Sequence, residues 1–342
     1  MKKVVIDCRE LQGGMTGIGR FLHNFLVSLE TLDQENRYVL LLNKPADLKI
    51  LGKNMIRHVL PESSTLLWDQ IILPRYLRDS RADIFFSPYY KLPVFAPCPS
   101  IITIHDVHFF TLPIYQQKNG FFRNAYYRIM GKLYCRKARL ILTVSETSKR
   151  DIIAVYGVPA EKIHVVYNGV ELERFRVLAP IDVAERMKRR FPQIKGNFIL
   201  YVGNSKPHKN IPFLVMGYEL LPIELRRSTQ LVLVGVDKCL SPDGSFSEDR
   251  MVILPSVTDD DLPFLYNAAT VFVTASLSEG FCLPMAEAMA CGTPIVVSNR
   301  GAIPEIAGDA GWYFDADNIG DYVTQLSSVL ESTSLRKSRA VG

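Results

Sequence analysis

The chain alternates short β-branched runs with stretches in which apolar side chains recur every three or four residues. In the first half the runs are "KVVID", "YVLLL", "MIRHVL", "DIFFSP", "SIITIH", "RLILTV" and "IHVVYN". The second half offers "NFILYVG", "QLVLVG", "MVILP", "TVFVTA" and "TPIVVS", with "GWYF" after them. Apolar strands separated by helical segments are the mark of parallel sheets buried on both faces. Between the two series lies "VELERFRVLAPIDVAERMKRRFPQIKG", which is charged, carries Pro180 and Pro192, and contains no strand. The pattern predicts an α/β protein of two doubly wound, Rossmann-like domains facing each other across a cleft, at 1–175 and 197–342, with a linker region at 176–196.

Composition agrees, because 342 residues with 48% hydrophobic content exceed what one core serves. Apolar runs such as "TVFVTASL" stop short of the roughly 18 residues that a spanning helix requires, so the chain reads as not transmembrane. The six cysteines are scattered without a C-x-x-C spacing, and no charged segment followed by an apolar one opens the chain. Such usage suits a reducing cytosol and argues against a disulfide framework or a cysteine zinc site. The net charge of +5 is unevenly shared: residues 1–180 carry 25 Lys/Arg against 16 Asp/Glu, and residues 181–342 carry 15 against 19. The first half therefore either meets an anionic partner or presents an ordinary solvated surface.

Three stretches carry candidate chemistry. "GGMTGIGRF" joins the first strand to an apolar-periodic helix, "GRFLHNFLVSLETL". Gly17 and Gly19 there would admit a ligand to the backbone and to the helix N-terminus, or would simply form a turn. The third glycine of a dinucleotide fingerprint is missing, since Leu22 stands in its place. "YVGNSKPHKN" ends the first strand of the second half and offers Lys206, His208 and Lys209 in a turn before a helix, fit to hold a phosphate or to be solvated. "SLSEGFCLPMAEAMACGTPIVVS" places Glu279 in a loop and Glu287 near the start of a helix that Pro284 opens and Gly292 closes. Capping and dipole compensation explain Glu287 but explain Glu279 poorly. Buried carboxylates among Met, Ala and Cys call for a partner from the protein or a ligand with hydroxyls to donate.

"EGFCLPMAE" resembles the E-x7-E signature of retaining nucleotide-sugar glycosyltransferases of the GT-B fold, in the large group 1 or GT4 family. "TGIGRF", "TIHDVHFF", "LTVSETSKRDI", "VVYNGV", "YVGNSKPHKN", "DLPFLYNAA" and "EAMACGTPIVVSNRGAIPEIAGDAGWYFD" extend the resemblance in order over nearly the whole chain. It implies an acceptor-side first domain, a donor-binding second domain, and a nucleotide-sugar substrate with no cofactor. Lys209 is then the lysine that faces the phosphates. The arginine usual a few positions earlier is absent, and Lys206 would stand in for it. His105 looks like the active-site histidine facing the transferred sugar, with His108 matching less well. Gly17, Gly203, Asn204, Gly280, Phe281, Cys282, Leu283 and Glu287 complete the implied donor contacts, and Glu279 joins His105 as catalytic.

The aspartates at 259–261 and in "DAD" at 315–317 could pass for a metal motif. Their places, ahead of an apolar helix and in a loop, favour capping over metal binding, and no metal is expected. Residues 121–139 combine six basic side chains with Phe121, Phe122, Tyr126, Tyr127 and Tyr134. Such a helix rests on an anionic membrane surface or packs on its own sheet with the basic face in water.

The expectation is a metal-independent retaining hexosyltransferase, with mannose from GDP-mannose as leading donor. Its acceptor would be a saccharide or lipid-linked molecule in bacterial cell-surface polysaccharide or glycolipid assembly. The protein would be cytoplasmic, at most peripheral at the inner face of the plasma membrane, with no nucleic-acid partner. The alternative is a two-domain sugar-nucleotide binding protein with impaired catalysis. The resemblance also leads one to expect closing helices after "SRAVG", where this chain stops at Gly342.

Overall fold

The computed structural model describes residues 1–12, 16–46, 52–236 and 250–332, apart from the side chains of 117–119 and 121. Cys239 and the "SRAVG" end therefore lie outside the described residues. The chain divides into two compact units, Met1–Gly169 and Val170–Gly342.

The first unit is built on a seven-stranded sheet: β1 (Lys3–Asp7), β2 (Arg37–Leu42), β3 (Met55–Val59), β4 (Ile84–Ser87), β5 (Ser100–Thr103), β6 (Leu140–Thr143) and β7 (Ile163–Val165). Their spatial order is β3-β2-β1-β4-β5-β6-β7, and every pairing is parallel. The second unit holds β8 (Asn197–Val202), β9 (Thr229–Val234), β10 (Met251–Leu254), β11 (Val271–Thr274), β12 (Ile295–Ser298) and β13 (Gly311–Phe314). The order there is β10-β9-β8-β11-β12-β13, again all parallel. Both are doubly wound sheets. Their strands are apolar throughout because both faces are covered: all six residues of β9 and all four of β11 and β12 are buried. Each unit has apolar side chains packed in two clusters, as expected for a sheet with a layer on either side.

The expected linker, 176–196, carries a helix, Pro180–Arg190, which lies within the second unit. Val183 is buried, and Met187 packs against the cluster that includes Phe198 and Leu265. Asp261, 2% exposed, accepts from Arg186 at 2.5 Å, from Arg190 at 3.0 Å and from the Thr258 hydroxyl at 2.8 Å. This corrects the capping role expected for Asp261: its side chain makes no cap hydrogen bond to the helix Leu262–Ala268. The charge instead fastens the Pro180 helix to its neighbour.

Candidate active site

In open α/β sheets ligands gather at the carboxyl ends of the strands where the strand order reverses. In the second unit that point lies between β8 and β11. The loops leaving these strands, 203–210 and 275–282, carry Lys209 and Glu279. The two side chains meet: Lys209 Nζ lies 2.5 Å from Glu279 Oε1, with only 14% and 11% of their side chains exposed. The Ser276 hydroxyl donates to the same oxygen at 2.6 Å, and the Thr274 hydroxyl lies 3.0 Å from that of Ser276. The Leu277 N–H donates to the His208 carbonyl at 2.7 Å and stitches the loops together.

Backbone contacts hold Glu279 from the other side. Its carbonyl accepts from the Ala302 N–H at 3.0 Å. Gly301 has φ +60°, and a Cβ there would stand 2.6 Å from the Glu279 nitrogen, so only glycine fits. Burial alone would raise the Glu279 carboxyl, but the charges of Lys209 and His208 outweigh it and hold the group below its ordinary range. Burial likewise works against the Lys209 ammonium, and Glu279 reverses the sign, holding it above the usual lysine value. Both groups are charged at neutral pH.

Glu287 stands on the helix Leu283–Ala290, which opens at Pro284 as expected and closes ahead of Gly292, at φ +72°. It is 3% exposed, and its Oε2 accepts from the Tyr266 hydroxyl at 2.8 Å. Cys282, the residue before this helix, holds a left-handed φ of +70° and is buried. Burial pushes its thiol up to about 12. Gly280 and Phe281 are buried beside it, and Leu283 is half-buried.

In the turn after β8, Lys209 ends a short 3-10 segment and Asn210 follows at φ +53°. Lys206 and Asn204 are exposed, and the Lys206 N–H donates to Asn204 Oδ1 at 3.1 Å. Gly203 has a packing reason of its own, since a Cβ there would meet the Tyr201 hydroxyl at 2.5 Å.

Within the first unit, "TGIGRF" and "TIHD" come together. The helix Gly17–Leu32 begins at Thr16, whose side chain accepts from the Gly19 N–H at 3.0 Å, and a Cβ on Gly17 would meet nothing within 4 Å. Phe21 of that helix sets its ring edge-on to His105, 4.9 Å between centroids. His105 Nε2 lies 3.1 Å from the Pro88 carbonyl oxygen. Burial depresses the imidazole despite that bond and the nearby Asp106 charge, so His105 is neutral and its Nε2–H donates to Pro88. His108 is engaged elsewhere, with Nδ1 2.5 Å from Asp106 Oδ1.

Asp315 and Asp317 of "DAD" both pair with Arg300, at 2.7 and 2.5 Å. An open apolar pocket of about 740 Å³, lined among others by Val183, Phe198, Cys291 and Gly292, opens at the amino ends of β8 and β12; neither glutamate lines it.

On the helix Phe121–Lys137, Tyr134 and Cys135 are buried, and a Cβ on Gly131 would lie 2.6 Å from the Tyr156 ring. Phe122, Tyr126 and Ile129, spaced at i, i+4 and i+7, are 86%, 50% and 66% exposed. Arg123, Lys132 and Arg136 are exposed beside them. The outward face is thus apolar and basic together. Among the described residues no helix is long and apolar enough to cross a membrane.

Sequence reasoning named both glutamates, Lys209 and His105, but missed Ser276 and Tyr266, whose hydroxyls hold the two carboxylates. Tyr266 lay inside the quoted "DLPFLYNAA", yet nothing local to it points to Glu287.

Residues 183–340 match the profile described as glycosyl transferases group 1, and residues 16–174 match that of glycosyltransferase family 4. The chain is 34% identical, over 76% of its length and 68% of the relative's, to O-antigen chain mannosyltransferase B of Escherichia coli. It is 29% identical to the O-antigen chain mannosyltransferase RfbU of Salmonella typhimurium, over 67% of this chain and 60% of that one. The fold matches the crystal structure of Anabaena HepE in complex with UDP, with a TM-score of 0.75 at 19% identity over 99% of this chain and 93% of that one. The chain belongs to the group 1, family 4 glycosyltransferases, with the GT-B fold.

Proposed function

We propose that the protein is a retaining mannosyltransferase that uses GDP-mannose, without a metal ion, to extend a saccharide or lipid-linked acceptor in bacterial cell-surface polysaccharide or glycolipid assembly. The observation that carries this reading is the Lys209–Glu279 pair, charged and largely buried at the switch point of the second sheet. A sugar nucleotide needs its departing diphosphate neutralised, and a positive side chain beside helix N-termini does that work. Lys209 meets the phosphates, helped by the exposed Lys206 and Asn204. Glu279 takes hydroxyls of the transferred sugar, and Glu287 those of the ribose. In the first unit His105 is neutral, and Gly17 leaves room beside its helix start. Mannose is favoured by the O-antigen mannosyltransferase relatives.

The outward stripe of Phe122, Tyr126 and Ile129, flanked by arginine and lysine, fits an anionic membrane surface, where a lipid-linked acceptor would be found.

The test is a donor screen that reads nucleotide release with and without candidate acceptors. Acceptor-dependent GDP release, with the glycosidic product retaining the anomeric configuration, is the expected result. Nucleotide binding without release under any acceptor would assign the chain to sugar-nucleotide binding without catalysis.

A further inference from the structure

Two loops and the helix Leu283–Ala290 supply the side chains of the second unit that would touch the donor, but one of those side chains is itself held by a residue outside them. Tyr266 lies on the helix Leu262–Ala268, 21 residues before Glu287, and is fully buried. Its ring packs at 6.0 Å from Phe175 and 6.1 Å from Phe272, and its backbone carbonyl accepts from the Thr293 hydroxyl at 2.7 Å. Ring and backbone are thus fixed from three sides, which leaves the phenol hydroxyl one direction of approach. It donates to Glu287 Oε2 at 2.8 Å.

We infer that Tyr266 is a positioning residue for nucleotide recognition: its hydroxyl fixes the Glu287 carboxylate in the orientation that accepts from the ribose diol. The inference rests on the reading of Glu287 given under Proposed function. A glutamate has three side-chain torsions, and a carboxylate free to turn must be ordered at the moment of binding. With Oε2 anchored by a rigid donor, the plane of the carboxylate is set before the nucleotide arrives. The gain falls on an interaction present in both substrate and product, so it governs affinity more than the rate of bond breaking. It also governs discrimination, because a carboxylate held for a diol rejects a sugar that lacks one of its hydroxyls more strongly than a mobile one does.

The experiment uses Tyr266→Phe in the full chain, which keeps the ring in its packing and removes only the hydroxyl. Calorimetry with GDP and with 2′-deoxy- and 3′-deoxy-GDP is the readout. Tyr266→Phe is expected to weaken GDP about tenfold, the range for a lost hydrogen bond to a charged group. The ratio of GDP to deoxy-GDP affinity should fall with it, and the kinetic loss should lie mainly in KM. Thr293→Ala, which loosens the same helix without touching the phenol, should lower the melting temperature yet leave that ratio alone. In a Glu287→Ala background Tyr266→Phe should add nothing further to the loss. An unchanged ratio in Tyr266→Phe, or losses that add fully in the double variant, would overturn the inference. Wild-type protein that binds no nucleoside diphosphate would instead overturn the functional reading beneath it.

Discussion

Lys209 and Glu279, 70 residues apart in the chain, form one ion pair 2.5 Å long at the switch point of the second sheet. Each was expected to serve a different part of the donor, and in the structure each neutralises the other. If Lys209 meets the phosphates as proposed, removing one partner or the other should have opposite effects on phosphate binding. Lys209→Ala should weaken GDP and GDP-mannose together, by about 1–3 kcal/mol for a lost charged hydrogen bond. Glu279→Gln frees the ammonium, so GDP should bind at least as well as in the wild type while kcat falls. Calorimetry with GDP beside steady-state kinetics checks both, and equal losses of GDP affinity in the two variants would contradict the division.

The pair also sets a pH window. Glu279 is depressed, so its contribution is complete above the ordinary carboxylate range and is lost as pH falls through its lowered value. Lys209 is raised, so its contribution is complete below the ordinary lysine range and is lost only as pH rises through the higher value. Between about pH 6 and 9 neither titrates. GDP affinity should therefore show no step from this pair across that range, measured by calorimetry in matched ionic strength.

Turnover should survive chelation. Lys209 supplies positive charge at the proposed diphosphate position, and Asp261 is held by Arg186 and Arg190, while Asp315 and Asp317 are held by Arg300. Product formation in excess EDTA should match that in Mg²⁺; activity abolished by EDTA and restored by Mg²⁺ or Mn²⁺ would overturn the metal-independent reading.

The Asp261 clasp should be worth measuring as stability. Asp261→Asn removes a carboxylate that is 2% exposed and accepts from two arginines and a threonine. Arg190 is half exposed, which screens its share. The expected cost is about 1–3 kcal/mol, read as a lower urea midpoint with the slope unchanged.

Association with vesicles tests the outward face of the Phe121–Lys137 helix. Liposomes containing anionic lipid should bind the protein at low salt and release it as salt rises. Replacing Arg123, Arg128 and Lys132 by Gln should lower binding while GDP affinity is unchanged. Absence of flotation at low salt would make the stripe simply part of the surface.

The strands were legible because each is a short apolar run between turn residues. "KVVID" is β1 and "GWYF" is β13, residue for residue. The Glu287 helix was legible from its punctuation, Pro284 and Gly292. Pairings across the sheet were not, because they depend on strand order: β11 neighbours β8 with two strands between them in the chain, and alternation of apolar runs does not encode that. The partners of Asp261 lie 75 and 71 residues upstream, so a local rule assigned it to the helix it precedes.

Asn210 and Cys282, two of the three described non-glycine residues with positive φ, stand where the loops of Lys209 and Glu279 turn into helices. A left-handed residue with a side chain costs of order 1–3 kcal/mol and persists only while its surroundings insist on it. The two loop-to-helix junctions of the site therefore hold local backbone strain, whereas the described residues of the sheet beneath them have none of these left-handed positions. On slow heating the protein should lose turnover several degrees before its far-ultraviolet signal melts, and Cys282→Gly should narrow that gap by relieving the strain at one of them.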